Sequence, residues 1–324
     1  MGKCTLADVA KACGVSAYTV SRAINDKKDI SNETKERILK VAKEMGYTTN
    51  VTAKNLRVGN SNTIAIVYDD FENPYYNSLI KKISYKLNEE GYSIALFYDF
   101  DSISLLNTKL LKRVVSSNVI GIISFMKVTA NAKKFNNIVN IPIIQFGIED
   151  DDNDIDCIYY DDVDGAYKLT NLLLNKGYTN IGFINATMKL KSGMNRIKGY
   201  KKALLKRNIE NFCVIHLTEN NLTVEEATQK LVDMNVDSII CYSDMTCLMV
   251  IKYLKTIGRK DIKIVGFDNI NQFFPLPIEL ISAYGNMDDF VNAGISMLLN
   301  RIKDNSLAYK KVVLPMSINK NCEE

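Results

Sequence analysis

From Thr63 onward, short apolar runs of strand length alternate with amphipathic stretches of helix length, and few architectures accept that order. TIAIVYD, YSIALFYD, VIGIISF, IPIIQF and CIYY form a first series. The alternation restarts after Asp161 with NIGFINA, CVIHL, DSIICYS and IKIVGFD. Between the first two runs, Tyr76, Ile80, Ile83 and Leu87 fall on one helical face. Two successive βαβ series predict an α/β fold of two parallel-sheet subdomains with helices on both faces. Such sheets bind ligands beyond the carboxyl ends of their strands, which here means the cleft between the two halves.

Ahead of this region the periodicity changes. Residues 5–24, TLADVAKACGVSAYTVSRAI, spell two short helices joined by a tight turn. Thr5 stands three residues before Asp8, the spacing of a capping box, and Gly14 ends the helix where a positive φ is easiest. Leu6, Val9 and Ala10 recur on one face of the first helix. Ser16 caps the second, whose inner face is Val20 with Ala23 or Ile24. A third helix follows from Ser31, with Ile38, Leu39, Ala42 and Met45 as its buried stripe. This is a helix-turn-helix with a bracing helix, a unit whose second helix enters the DNA major groove. Charge points the same way: residues 1–60 hold 11 Lys/Arg against 6 Asp/Glu, whereas the other 264 hold 30 against 31. A solvated lysine-rich surface would give the same excess, so charge alone decides little.

The order of residues is more specific than their periodicity. TLADVAKACGVSAYTVSRAIN, with ERILKVAKEMGY and AKNL after it, closely resembles the DNA-binding headpiece of the lac repressor (LacI/GalR) family, without a gap from about Thr5 to Arg57. The resemblance puts Ala17, Tyr18 and Arg22 at the family's base-reading positions. Arg22 can grip guanine O6 and N7 in bidentate fashion, Tyr18 offers a hydroxyl and a ring edge, and Ala17 offers an apolar contact. The bland alternatives are a phosphate contact or salt bridge for Arg22 and packing against the turn for Tyr18. Thr5, Ser16, Thr19, Ser21, Asn25 and Ser31 are better placed for phosphates, through hydroxyls, amides and helix N-termini. Asn50 to Arg57 allow two helical turns, too few to be stable alone. In the family the matching segment folds when two copies meet over the operator centre, and a leucine from each wedges into the minor groove. Leu56 falls on that position, with Ala53 beside it for close helix approach and Lys54 where Arg or Gln is common.

The rest of the chain resembles the effector domain of the same family, itself similar to periplasmic sugar-binding proteins. The match runs through NPYY (73–76), GAYKLTNLLLNKGYTNIGFI (165–184), RIKGYKKAL, GFDNI and VVLPMSI. It implies a headpiece over 1–49, a hinge over 50–60 and an effector-binding and dimerisation domain over 61–324. Within the last, an N-subdomain takes about 61–160 plus 287–315 and a C-subdomain about 161–286 plus 316–324. Arg196 and Asp268 match two polar residues that commonly hold effector. Arg196 can clamp a carboxylate, a phosphate or sugar hydroxyls, and Asp268 can accept from sugar hydroxyls or a ring N–H. Tyr75 or Tyr76 can stack on the ligand, and Ser192 is a further candidate. Asp244 is either an effector contact or a helix N-cap. His216 reads as structural, and the acidic stretch Glu149 to Asp156 as a solvated loop or, alternatively, a cation site. Tyr284-Gly285-Asn286 stand where a Gln-Pro pair is common.

Seven cysteines without CxxC spacing and a single histidine argue against a zinc site, and the cysteines read as reduced thiols of a cytoplasmic protein. No apolar run approaches a membrane span, and MGKCTLAD is not a signal peptide. With no P-loop, GxGxxG, GxSxG or HExxH, neither catalytic residues nor a cofactor or metal are expected. A transport-type binding protein would share the cleft but not residues 1–57. The reading is a sequence-specific transcription regulator, most simply a repressor, that binds a palindromic double-stranded operator as a homodimer. It answers to a small molecule, for which a sugar or sugar phosphate is the family's commonest theme. The chain ends at Glu324 without a leucine-rich tail of the kind that builds tetramers. Whether a phosphorylated carrier protein acts as co-regulator is not written in these residues.

Overall fold

The computed structural model describes residues 4–27, 29–47, 61–98, 104–276 and 278–319. The chain divides into two compact units, Met1–Ser61 and Asn62–Glu324. The first holds α1 (Leu6–Cys13), α2 (Ala17–Ile24) and α3 (Asn32–Glu44). Thr5 accepts from Asp8 N–H while the Asp8 carboxylate accepts from Thr5 N–H, a closed capping box, and Gly14 ends α1 at φ 66°. Ser16 and Ser31 cap the next two helices by accepting from Thr19 and Thr34 N–H. Val9, Ala10, Cys13, Val20, Ala23, Ile38 and Ala42 form the core. The buried stripe of α3 is narrower than expected, with Leu39 and Met45 42% and 38% exposed. Two eight-residue helices cover only part of the apolar arc of a longer one. The hinge positions Ala53, Lys54 and Leu56 lie outside the described residues.

The second unit begins with β1 (Thr63–Val67), α4 (Pro74–Glu89), β2 (Ser93–Phe97) and β3 (Leu105–Leu106). It continues with α5 (Thr108–Val115), β4 (Gly121–Ser124), β5 (Lys127–Val128), α6 (Ala130–Val139), β6 (Ile143–Phe146) and β7 (Asp156–Tyr160). Then follow α7 (Asp162–Asn175), β8 (Ile181–Asn185), α8 (Lys191–Leu205), β9 (Cys213–His216), α9 (Leu217–Asn220) and α10 (Val224–Asp233). The chain goes on through β10 (Ser238–Cys241), α11 (Asp244–Thr256), β11 (Lys263–Phe267) and β12 (Ile281–Gly285). The last elements are α12 (Met287–Lys303), β13 (Lys311–Leu314) and β14 (Met316–Ile318).

One six-stranded sheet runs β13-β7-β6-β4-β1-β2 and a second runs β14-β12-β11-β10-β8-β9, with β3 and β5 paired apart. Every pairing in the first sheet is parallel, and in the second only the edge strand β14 runs antiparallel. Along β1, Ile64 and Ile66 enter one core and Ala65 and Val67 the opposite one, the mark of a strand buried on both faces. On the first sheet, α4 and α12 supply Leu79, Ile83, Phe290 and Leu298 to one face, and α5 and α6 supply Leu110, Val114 and Ala132 to the other. On the second, α7 and α8 bring Leu169, Leu173, Tyr200 and Leu204, opposite Leu231, Cys247 and Leu254 of α10 and α11. Each fully buried Leu, Ile, Val or Phe among them contributes about 1.5–3 kcal/mol.

The chain passes between the sheets at Asp161, Asn286 and Pro315, so neither half is continuous in sequence. At the second passage a Cβ on Gly285 would lie 1.8 Å from the Tyr160 ring. That ring stacks on Phe290 with centroids 4.6 Å apart, so Tyr160 fills the space a larger side chain at 285 would need. No described helix is long and apolar enough to cross a membrane.

Candidate functional site

On α2, Val20 and Ala23 face the core, which turns Ala17 and Tyr18 outward; Tyr18 is 68% exposed. Arg22 folds back on the same helix. Its guanidinium donates to the Tyr18 hydroxyl at 2.9 Å and lies 5.3 Å from the Tyr18 ring centre. A second nitrogen meets the Asp29 carboxylate at 2.5 Å, and that pairing raises the Arg22 pKa and lowers that of Asp29. The Arg22 Nε is buried without a partner among the described residues. Thr5, Ser16 and Ser31 sit at the three helix starts. Thr19 is hydrogen-bonded to Ser16, and Asn25 donates to the Ser21 carbonyl. The sequence does not single out Asp29, which comes within reach only because the turn after α2 brings it back.

Within the second unit a cavity of about 250 Å³ opens between the carboxyl ends of the two sheets. Tyr75, Tyr76, Ser192, Arg196 and Asp268 all line it. Asn73, the cap of α4, aims Tyr75 and Tyr76 inward, where burial holds both phenols well above their ordinary pKa. Arg196 donates from Nε to Asp162 at 2.7 Å and from a terminal nitrogen to the Tyr242 carbonyl. Its plane lies 4.1 Å from the Phe267 ring centre and 4.8 Å from that of Tyr242. Burial opposes the Arg196 charge, but Asp162 outweighs it and the pKa rises. Burial raises the Asp162 carboxyl too, against the pull of Arg196. Ser192 Oγ is 3.2 Å from the Tyr242 hydroxyl.

Asp268 follows β11 with φ 98°, a left-handed backbone unusual for a non-glycine residue. Burial pushes its carboxyl up to about 6, with Arg196 pulling the other way. Asp69, Asp70, Tyr160, Asp162 and Tyr242 also line the cavity and are not singled out by sequence. The strand-end rule could have found Asp69 and Asp70, which stand just past the end of β1, after Tyr68.

Two expectations are corrected. Ser243, not Asp244, caps α11 by accepting from Thr246 N–H. Asp244 does not line the cavity; it is buried, and its carboxylate accepts from Ser282 Oγ at 2.5 Å and Ile270 N–H at 3.0 Å. Burial foremost, with the neighbouring Asp268 charge, pushes it up to about 7. Nor is the stretch Glu149 to Asp156 a simple solvated loop. Lys133 Nζ reaches Asp150, Asp152 and Asp154 at 2.5, 3.0 and 2.5 Å, so the cation among these carboxylates is a lysine. Lys191, at the start of α8, crosses to Glu149 at 3.0 Å and to Asp151. His216 Nδ1 lies 3.1 Å from the Asn185 amide.

Residues 5–50 match the bacterial regulatory proteins of the lacI family, and residues 61–276 match the periplasmic binding proteins and sugar binding domain of the LacI family. The HTH-type transcriptional regulator DegA of Bacillus subtilis (strain 168) is 32% identical over 277 residues, covering 82% of either chain. A crystal structure of the lac repressor dimer bound to operator and the anti-inducer ONPF has the same fold, with TM-score 0.81 at 19% identity over 98% of both chains. So does a LacI family transcriptional regulator from Enterococcus faecium with bound ribose, with TM-score 0.70 at 20% identity over 80% of this chain and 97% of that one. The two family matches span the helix-turn-helix and most of the two-sheet unit, and the relatives are regulators rather than enzymes. This chain therefore belongs to the LacI family of bacterial DNA-binding transcription regulators.

Proposed function

We propose that this regulator is a cytoplasmic repressor that binds a palindromic operator as a homodimer and is switched by a carbohydrate in the cleft cavity. The observation that carries the DNA side is the outward face of α2, where Ala17, Tyr18 and Arg22 read bases while the helix stands on Val20 and Ala23. Thr5, Ser16, Thr19, Ser21, Asn25 and Ser31 hold the backbone, and Ala53, Lys54 and Leu56 of a hinge over 50–60 meet the minor groove. Asp29 holds Arg22 folded back on α2 until a guanine replaces it.

In the cavity, Arg196 and Asp268 orient the ligand's polar groups, Ser192 adds a hydroxyl, and Tyr75 and Tyr76 cover its ring. The ribose held by the Enterococcus faecium protein supports a sugar of this size. Dimerisation draws on exposed apolar side chains of the second unit, among them Tyr85, Leu96 and Met249 at 66%, 53% and 48% exposure. A ligand that binds the two arrangements of the subdomains unequally shifts the equilibrium between them, and so the operator affinity.

The test is binding of the full-length protein to DNA fragments from its gene neighbourhood, at two salt concentrations, with and without a sugar panel. Steeply salt-dependent binding to one inverted repeat, altered by one compound, is the expected result. Arg22→Ala should cost about 1–3 kcal/mol on that site and relax one base position. Weak binding, equal on all fragments and unmoved by any sugar, would overturn the proposal.

A further inference from the structure

The charge of the cavity lining narrows what it can hold. Four carboxylates face it, from Asp69, Asp70, Asp162 and Asp268, and Arg196 is the only cation among the described residues that line it. Arg196 is already engaged by Asp162 and the Tyr242 carbonyl. The other three carboxylates have hydrogen-bond donors but form no ion pair among the described residues, although Asp268 feels the Arg196 charge that Asp162 already engages. Asp69 accepts from Ser104 N–H and Oγ–H at 2.6 and 2.8 Å, and Asp70 accepts from Asn73 N–H at 3.1 Å. Asp268 is met by the Asn73 side chain. Donors of this kind stabilise a carboxylate without cancelling its field.

An anionic ligand would enter beside these charges in a confined, poorly screened space. The first turn of α8 has no side-chain cap and offers roughly half a positive charge, too little against three carboxylates. Lys191 at that turn is paired with Glu149 and Asp151 instead. The aromatic lining favours the opposite sign, because tyrosine rings such as those of Tyr75 and Tyr76 attract a cation as well as the C–H face of a sugar.

We propose that the ligand of this cavity is a hydroxylated ring that carries a protonated amine and no phosphate or carboxylate, with its ammonium set between Asp268 and Asp70. This rests on the reading that the cavity holds the effector, and it names the effector's class. Asp268 is the anchoring carboxylate, Asp70 its partner, and Arg196 serves the hydroxyl groups.

Calorimetric titration of the full-length protein at neutral pH with matched triplets tests it: glucose, glucosamine and glucose 6-phosphate, then the galactose and mannose counterparts. The amine should bind about tenfold tighter than its neutral parent, as one new charge-assisted hydrogen bond gives, and the phosphate ester should bind weakest. Asp268→Asn and, separately, Asp70→Asn should each erase the amine's advantage, with thermal melts establishing that each variant is folded. A phosphate ester that binds tightest, or an amine no tighter than its parent, would overturn this inference and leave the effector cavity standing. Binding by no member of any triplet, with operator affinity also unmoved, would overturn both.

Discussion

Around the β6–β7 connection every carboxylate meets a cation. Asp150, Asp152 and Asp154 share Lys133, Glu149 and Asp151 meet Lys191, and Asp156 accepts from Arg301 Nε at 2.8 Å and from a terminal nitrogen at 3.1 Å. The cleft, which is lined by the start of the same connection, has Asp69, Asp70 and Asp268 facing space with Arg196 already engaged, and Asp244 buried behind. Burying a charge without a counter-charge is costly, so the fold closes the first region with its own lysines and arginine. In the second the cost stands, and it is largest at Asp244 and Asp268, whose carboxyls are pushed up to about 7 and about 6. The same residue type is therefore closed off by ion pairs in one region and lines a cavity without one in the other. What separates them is whether a described lysine or arginine pairs with each carboxylate.

The largest effect should come from opening the closed region. Lys133→Met leaves the buried Asp150 without its partner, and such a break costs about 3–5 kcal/mol. Urea denaturation measures it, and a loss below about 1 kcal/mol would erase the contrast between the regions.

In the open region the sign reverses. The folded chain holds the Asp244 proton more tightly than the unfolded chain, so the protonated form adds stability that is complete below the ordinary 3.8 and lost as pH rises through about 7. Asp244→Asn should then be more stable than the parent at pH 8, by an amount of order a few kcal/mol, with a correspondingly higher melting temperature, and coincide with it near pH 4. Equal melting at both pH values would show that the buried carboxylate carries no such penalty. Asp268→Asn should show the same trend more weakly, since its carboxyl is raised only to about 6 and stands at the cavity surface. Smallest is Lys82→Ala, which removes an exposed pair with Asp288 and should change stability by about 0–1 kcal/mol. A larger loss there would mean that pairing itself, rather than burial, sets the difference.

Much of this architecture is legible from the residues because it is local. The Thr5–Asp8 capping box, Gly14 as a left-handed terminator and the two strand series each depend on neighbours within a few positions. The resemblance to a family carries Arg196 and Asp268 into one cavity, although 72 positions separate them. What local patterns cannot decide is which of several equivalent side chains is chosen. Ser243 and Asp244 are both good caps, and only the folded backbone selects the serine and sends the aspartate inward. Lys133 is one of many lysines, and nothing in its surroundings in sequence tells that it reaches three carboxylates 17 to 21 positions away. Asp69 and Asp70 are the opposite case: they are not singled out above, yet their place just past β1, after Tyr68, is one the strand-end rule reaches.

Lys191 joins parts that belong to different sheets: it starts a helix packed on the second, and its carboxylate partners follow a strand of the first. With the lysine 31% exposed, this tie is open to dissolved ions, whose screening reaches about 8 Å at physiological strength. Salt also weakens DNA binding directly, by competing for phosphates. Under the proposed coupling of cleft to operator, the salt dependence of DNA binding sums two terms, one at the DNA and one across the cleft, and Lys191→Gln should leave only the first. Through one lysine, the tie between the parts built on the two sheets becomes sensitive to the salinity of the solution.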